Sequence, residues 1–207
     1  MEGDSSSDRI LVEKAATGDH TAFGMLLARY REQLHRLIYF MVHHEEDTWD
    51  LLQDTCLNAY QALPKLKNPD IFSSWITRIA VNLAINHLKR KSRWRKCQEK
   101  LVQQSEVRES DAPDQYVESN ETQEKVRALI ALLPPKQKTV LVLADIEGRS
   151  YQEIATILNC RIGTVMSRLF YARSFLRKRL QSLDGRSDTL HQQAEGNSTA
   201  SLITKQG

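Results

Sequence analysis

The chain has 207 residues, 41% of them hydrophobic and 27% charged, with a formal net charge of +3. That make-up fits a soluble globular protein of one or two modest domains, long enough to bury a core. No apolar run reaches membrane-spanning length, the acidic start MEGDSSSDRI has no leader-peptide pattern, and the cysteines Cys56, Cys97 and Cys160 form neither a disulfide framework nor a zinc motif, so a reduced cytoplasmic setting is expected.

Strand signals are nearly absent and helical periodicity is strong, so the fold class expected is all-α: two small helical domains joined by a flexible acidic linker. A helix is expected from about residue 8 to 34, carrying Ile10, Leu11, Ala15, Phe23, Leu26, Leu27, Tyr30 and Leu34, and a second to about His43. HHEEDTWD is a polar break in which Asp47 or Thr48 is placed to cap the next helix, DLLQDTCLNAYQAL. Its apolar positions Leu51, Leu52, Thr55, Leu57 and Ala59 cover more than half its girth, as in a central helix. PKLKNPD, with Pro64 and Pro69, is a loop. FSSWITRIAVNLAINHLKRKSRW returns to helix with Trp75, Ile76, Ile79, Leu83 and Leu88 on its buried side.

Charge then divides the chain. Residues 89–100 hold seven basic side chains against Glu99 alone, and residues 97–124 hold eight acids against Lys100 and Arg108. The first domain is therefore set at 8–96, a linker at 97–121, a second helical domain at 122–183, and a disordered tail at 184–207. Fully extended, the linker's 25 residues reach about 80 Å at ~3.3 Å each. Two basic surfaces separated by an acidic stretch point to a polyanion met at two places.

The most informative stretch is 149–180. Tyr151, Ile154, Ala155 and Leu158 make the stripe of a short amphipathic helix, and Asn159 and Cys160 interrupt it. From 161 to 180 there are six basic residues and no carboxylate. Two short helices around a tight turn fit a helix-turn-helix, whose second helix enters the DNA major groove. A helix approaching phosphates cannot carry carboxylates, which explains the composition. Val165, Leu169, Ala172 and Leu176 form a packing face, whereas Thr164, Ser167, Arg168 and Tyr171 fall on another that can reach bases or phosphates. A merely solvated basic helix explains the charge but not the preceding helix and turn.

LPPKQKTVLVLADIEGRSYQEIATILNCRIGTVMSRLFYARSFLRKRL resembles the promoter-reading C-terminal domain of bacterial sigma factors of the extracytoplasmic-function group. The residues that carry the resemblance are Leu133-Pro134, Gly148-Arg149-Ser150-Tyr151, Glu153-Ile154-Ala155, Gly163-Thr164-Val165, Ser167-Arg168-Leu169 and Ala172-Arg173. DLLQDTCLNAYQAL looks like that family's polymerase-docking helix, and FSSWITRIAVNLAINHLKRKSR like its −10-reading and strand-opening segment. The likeness covers about 10–96 and 122–182, in the family's order.

The resemblance implies a transcription initiation factor without catalytic residues, cofactor or metal. Its partners would be core RNA polymerase, promoter DNA and an anti-sigma protein. On the family pattern Asp50, Gln53, Asp54 and Leu57 would contact core polymerase. Read without it, the carboxylates are solvated groups favoured by a helix N-terminus. Leu66, Lys67, Asn68 and Phe72 would lie near the pocket for an unstacked −10 base, with Asn82, Asn86, Lys89, Arg90 and Arg93 gripping the strand beside Lys91 and Arg95. Trp94 would stack on a base or cover the helix end, and Trp75 belongs to the core. The −35 contacts would come from Arg149, Ser150, Arg161, Thr164, Ser167, Arg168, Tyr171 and Arg173, on a helix-turn-helix spanning about 151–170. Three positions depart from the family: Cys56 stands where an aromatic is frequent, and Met166 and Tyr171 where a basic residue is.

Two other function classes fit less well. An enzyme is disfavoured because His43-His44-Glu45-Glu46-Asp47 lacks the HExxH spacing, and no GxSxG, P-loop or GxGxxG occurs. A dimeric regulator would need a ligand or receiver domain, and the first half has no βα alternation.

Overall fold

The computed structural model describes residues 5–102 and 121–200, with side chains over 8–94 and 124–181. Every regular element among the described residues is helical. The chain begins with α1 (Ser5–Ala16) and α2 (His20–Val42). The helix expected from about 8 to 34 runs through their junction, but it breaks there because Gly18 takes φ +101° and Asp19 caps α2, its carboxylate accepting from the Thr21 and Ala22 amides at 2.9 and 3.0 Å. No second break occurs before His43, so α2 is one long helix. Asp8 ties α1 to it, accepting from Arg29 Nη1 at 2.6 Å and from the Tyr30 hydroxyl.

α3 (Glu45–Ala62) starts earlier than its polar sequence suggests. Neither Asp47 nor Thr48 caps it. His43 turns left-handed (φ 55°), and His44 Nδ1 accepts from the Asp47 amide at 3.3 Å. Thr48 and Thr55 are accommodated in the core because their hydroxyls donate to His44 O and Leu51 O, each at 2.7 Å, leaving neither hydroxyl unpaired. The helix buries a single face (Thr48, Leu51, Leu52, Thr55, Ala59), and Leu57 points away from it. α3 is thus not a central helix.

Two single-turn 3₁₀ segments, Leu63–Lys65 and Pro69–Ile71, occupy the proline loop and lead into α4 (Phe72–Val102). Its inward row is Phe72, Ile76, Ala80 and Ala84, with Val81 beside it. Trp75, Ile79 and Leu83 flank that row, one residue off the stripe read from sequence. α4 runs on past residue 96, into the expected linker, and residues 103–120 lie outside the described residues.

The second half comprises α5 (Glu121–Ala131), α6 (Pro135–Leu141), a π turn (Val142–Ile146), α7 (Tyr151–Leu158) and α8 (Ile162–Ala200). α8 extends beyond 183, where the sequence predicts disorder. No proline interrupts 184–200, and a helix already nucleated gains one hydrogen bond with each residue added.

The halves pack against each other. Arg78 of α4 places its guanidinium over the C-terminal end of α7, Nε donating to Ile157 O at 2.9 Å and Nη2 to Thr156 O. That is where a helix presents unpaired carbonyls and favours a cation. Arg149 donates to Ser73 Oγ at 2.8 Å. Arg36 of α2 donates to Glu147 from Nε at 2.9 Å and Nη2 at 3.3 Å, and the Glu147 side chain is only 2% exposed. Lys138 is also buried, 4% exposed, and its Nζ donates to Met41 O at 3.2 Å and Ala131 O at 2.9 Å. Both carbonyls belong to the last turns of helices, α2 and α5, so two C-terminal dipoles face one ammonium. Burial still pushes its pKa down to about 8.

Candidate nucleic-acid interface

α7 is started by a reciprocal cap. Ser150 Oγ accepts from the Glu153 amide at 3.3 Å, and Glu153 Oε2 accepts from the Ser150 amide at 2.8 Å and its hydroxyl at 2.7 Å. The Ser150 hydroxyl chiefly holds the Glu153 carboxyl below the ordinary range, against the opposite pull of burial and with help from Arg149. Asn159, left-handed at φ 48°, ends the helix, and the Cys160 amide closes back onto Ala155 O at 3.0 Å. After three intervening residues the chain enters α8 at Ile162, and α8 buries Val165, Leu169 and Ala172 against the rest of the domain.

This packing fixes which side of α8 is offered outward. Thr164 and Arg168 sit half-buried on one flank, Ser167 lies exposed, and Tyr171 projects beside Phe170 with ring centroids 5.7 Å apart. Ser167 Oγ donates to Thr164 O at 3.1 Å, and Arg161 is exposed in the turn. The remaining −35 candidates are engaged inside the protein. Arg149 is held by Ser73 and by Glu153 at 3.1 Å, and Ser150 is spent on the cap. Arg173 Nε pairs with Asp145 Oδ2 at 3.1 Å, a contact that raises the guanidinium pKa further. Sequence reading passed over Ile162 and Phe170, both exposed and, with Met166, spaced at i, i+4 and i+8. Their position off the buried stripe was the available signal.

In the first half, Asp50, Gln53, Asp54 and Leu57 form an exposed row along α3, the leucine 54% exposed. Exposed Trp49 and Tyr60 flank the row, with the Arg31 guanidinium 5.3 Å from the Trp49 ring. Burial pushes the nearby Cys56 thiol up. Among the −10 candidates, Lys67 and Asn68 are exposed and Leu66 packs partly on the core. Asn68 also caps the second 3₁₀ turn, accepting from Asp70 N at 3.0 Å. Phe72 corrects the sequence reading. It is 1% exposed, edge-on to Tyr30 at 5.5 Å, and fills the core instead of facing a base. Asn82, Asn86, Lys89, Arg90 and Arg93 all stand exposed along α4, as does Trp94.

The His43–Asp47 stretch is structural. His44 is the cap of α3, and Asp47 Oδ2 lies 3.2 Å from His87 Nε2 and 3.4 Å from Lys91 Nζ, joining α3 to α4. Burial, then Lys138 and Arg127, lower the His43 pKa. Among the described residues no group of three or more His, Cys, Asp or Glu is arranged to hold a metal ion, and no helix is long and apolar enough to cross a membrane.

A helix-turn-helix behind an α-helical first domain with a basic helix defines a class of DNA-docking proteins, and comparison with known proteins fixes which. Residues 26–94 match Sigma-70 region 2, and residues 123–176 match Sigma-70, region 4. The RNA polymerase sigma-H factor of Pseudomonas aeruginosa is 34% identical over 183 residues, covering 85% of this chain and 95% of that protein. The ECF RNA polymerase sigma-E factor of Escherichia coli strain K12 is 32% identical over 184 residues, covering 86% and 96%. Among solved structures, CnrH in complex with the cytosolic domain of CnrY is similar at a TM-score of 0.63, with 28% identity over 84% of this chain and 97% of that one. RpoE of Bartonella quintana, in complex with the anti-sigma factor NepR, shares the fold at a TM-score of 0.58, 24% identity, and 77% and 96% coverage. The chain belongs to the sigma-70 family of RNA polymerase sigma factors.

Proposed function

We propose that this sigma factor engages core polymerase through the α3 row Asp50, Gln53, Asp54 and Leu57. The observation that carries this is the row itself: three polar groups and an exposed leucine on a helix whose other face is fully used by the core. Burial of Leu57 on docking supplies apolar affinity, and the carboxylates set register. Lys67, Asn68, Asn82, Asn86, Lys89, Arg90 and Arg93 then meet the −10 element and hold the opened strand, while Arg161, Thr164, Ser167, Arg168 and Tyr171 meet the −35 element. Base extrusion costs a few kcal/mol, repaid by stacking and by hydrogen bonds. Covalent chemistry remains with the polymerase.

The two halves correspond to functional domains at 8–96 and 122–183, joined by the acidic segment between them. An anti-sigma protein restrains the factor. The similar fold of CnrH, held by the cytosolic domain of CnrY, supports that reading. Run-off transcription on genomic fragments, with core polymerase and with or without this chain, tests the whole. Discrete start sites that disappear with Arg168→Ala, or with Asp50→Ala and Asp54→Ala together, are expected. DNA binding without initiation by core polymerase would overturn it.

A further inference from the structure

Ile162, Met166 and Phe170 form an apolar stripe on the outward side of α8, exposed by 40%, 53% and 68%. The residues that anchor α8 are Val165, Leu169 and Ala172, and the stripe lies off that face. It also bears no group that can read a base by hydrogen bonding. Arg168 lies on the opposite flank and Arg173 is paired with Asp145. Between the two flanks lie Gly163 and Ser167, small residues that let the backbone come close to whatever α8 meets.

Exposed apolar side chains in a row ask for a partner. The surrounding charge says which kind, because residues 161–180 carry six cations and no carboxylate. The partner must be a polyanion that nevertheless presents apolar knobs within a groove as wide as a helix. Duplex DNA offers one such feature, the C5-methyl group of thymine in the major groove. We infer that Met166 and Phe170 read thymine methyl groups in the −35 element, so that this chain's preference there is set by apolar contact as much as by hydrogen bonding. The inference rests on α8 being the −35-reading helix.

The spacing sets a further condition. Met166 and Phe170 are four residues apart, about 6 Å along the helix. Base pairs stack about 3.4 Å apart. The two methyl groups therefore lie about two base-pair steps from each other. Each contact removes roughly one CH₂-sized group from water, worth about a fourfold change in affinity.

Deoxyuridine isolates the methyl group, since it keeps every hydrogen-bonding edge of thymine and lacks only C5-methyl. Holoenzyme assembled from core polymerase and this chain first selects duplexes from a pool randomised at the −35 element. Each selected thymine is then replaced by deoxyuridine, and competition binding is measured. At two positions about two base pairs apart, binding should fall about fourfold each. One of these losses should be absent in Met166→Ala and the other in Phe170→Ala, while Met166→Leu retains sensitivity. Unchanged binding at every deoxyuridine, or losses that persist in both alanine variants, overturns the inference and leaves −35 reading by α8 intact. Selection that returns no preferred −35 sequence removes the underlying reading itself. If the alanine variants lose a protein partner while deoxyuridine changes nothing, the stripe is a protein contact and the inference fails.

Discussion

Lys138 gives a sharp quantitative test of the packing between the halves. Its ammonium is enclosed, facing Met41 O and Ala131 O, and burial lowers its pKa from 10.5 to about 8. In the unfolded chain the same lysine keeps the higher value. Between about pH 8 and 10.5 the unfolded state therefore binds more protons than the folded one, and stability rises with pH across that window. The full gain is about 3 kcal/mol. Below pH 8 both states are protonated, and the desolvation cost is borne in full. His43, which burial holds below its ordinary value, is neutral throughout this window and adds no slope. The assay is urea unfolding of the full chain at pH 7.0, 8.5 and 9.5, alongside Lys138→Met, which keeps the volume and removes the titration. The difference in unfolding free energy between the two proteins should shift in favour of the wild type by about 2 kcal/mol between pH 7.0 and 9.5, the rest of the gain lying above that range. Parallel pH dependence in both would refute the burial of a charged Lys138.

Other expectations follow from single contacts. Ser150→Ala removes the α7 cap at a cost of about 1 kcal/mol, lowering the melting temperature by about 4–8 °C, and returns Glu153 toward the usual carboxylate range. Because the native Glu153 pKa is depressed, that carboxylate's contribution is present at neutral pH and lost as pH falls through its native value, so an acid melt of the variant should show a smaller loss. Phe72→Ala should destabilise the first half by about 3–5 kcal/mol in a denaturant titration, whereas a residue serving only a −10 base would leave stability unchanged. Gly18→Ala forces a side chain into a left-handed conformation and should cost about 1–2 kcal/mol in thermal unfolding. Arg168→Ala should lower the slope of log affinity against log salt for a −35 duplex by about one contact, measured by fluorescence anisotropy.

The sequence made the helix-turn-helix readable because two periodicities, a tight turn and a charge vacancy coincide within 32 residues. The inward face of α8, Val165, Leu169 and Ala172, is the one that spacing predicts. The exposed α3 row was likewise visible as an i, i+3, i+4 edge. What escaped depended on tertiary context. The expected 8–34 helix passed over Thr17-Gly18-Asp19, a short polar step between two apolar stripes, where the positive φ of Gly18 and the Asp19 cap make the break. Phe72 sits beside a polar loop and looks free, yet Tyr30, from a helix 42 residues earlier, encloses it. Arg149 and Arg173 look like phosphate ligands in one dimension because their partners Ser73 and Asp145 are distant in sequence. Long-range partners of this kind leave no local pattern.

The packing of α7 on α4 carries a thermodynamic consequence for promoter search. Two half-sites two helical turns apart are separated by about 70 Å. In the packed arrangement Arg78 touches α7 while lying on the same helix as Asn82 and Asn86, only about 6–12 Å along its axis from them. A molecule so arranged cannot reach both half-sites at once. Simultaneous engagement draws on whatever fraction of the population has released Arg78, Arg149, Arg36 and Lys138 from their partners, and the apparent dissociation constant is the intrinsic one divided by that fraction. Each 1.4 kcal/mol held in those contacts thus weakens two-site binding tenfold. The α3 row, the polymerase contact proposed above, is open in the packed form and incurs no such factor, so on that proposal mass action favours polymerase first and promoter second.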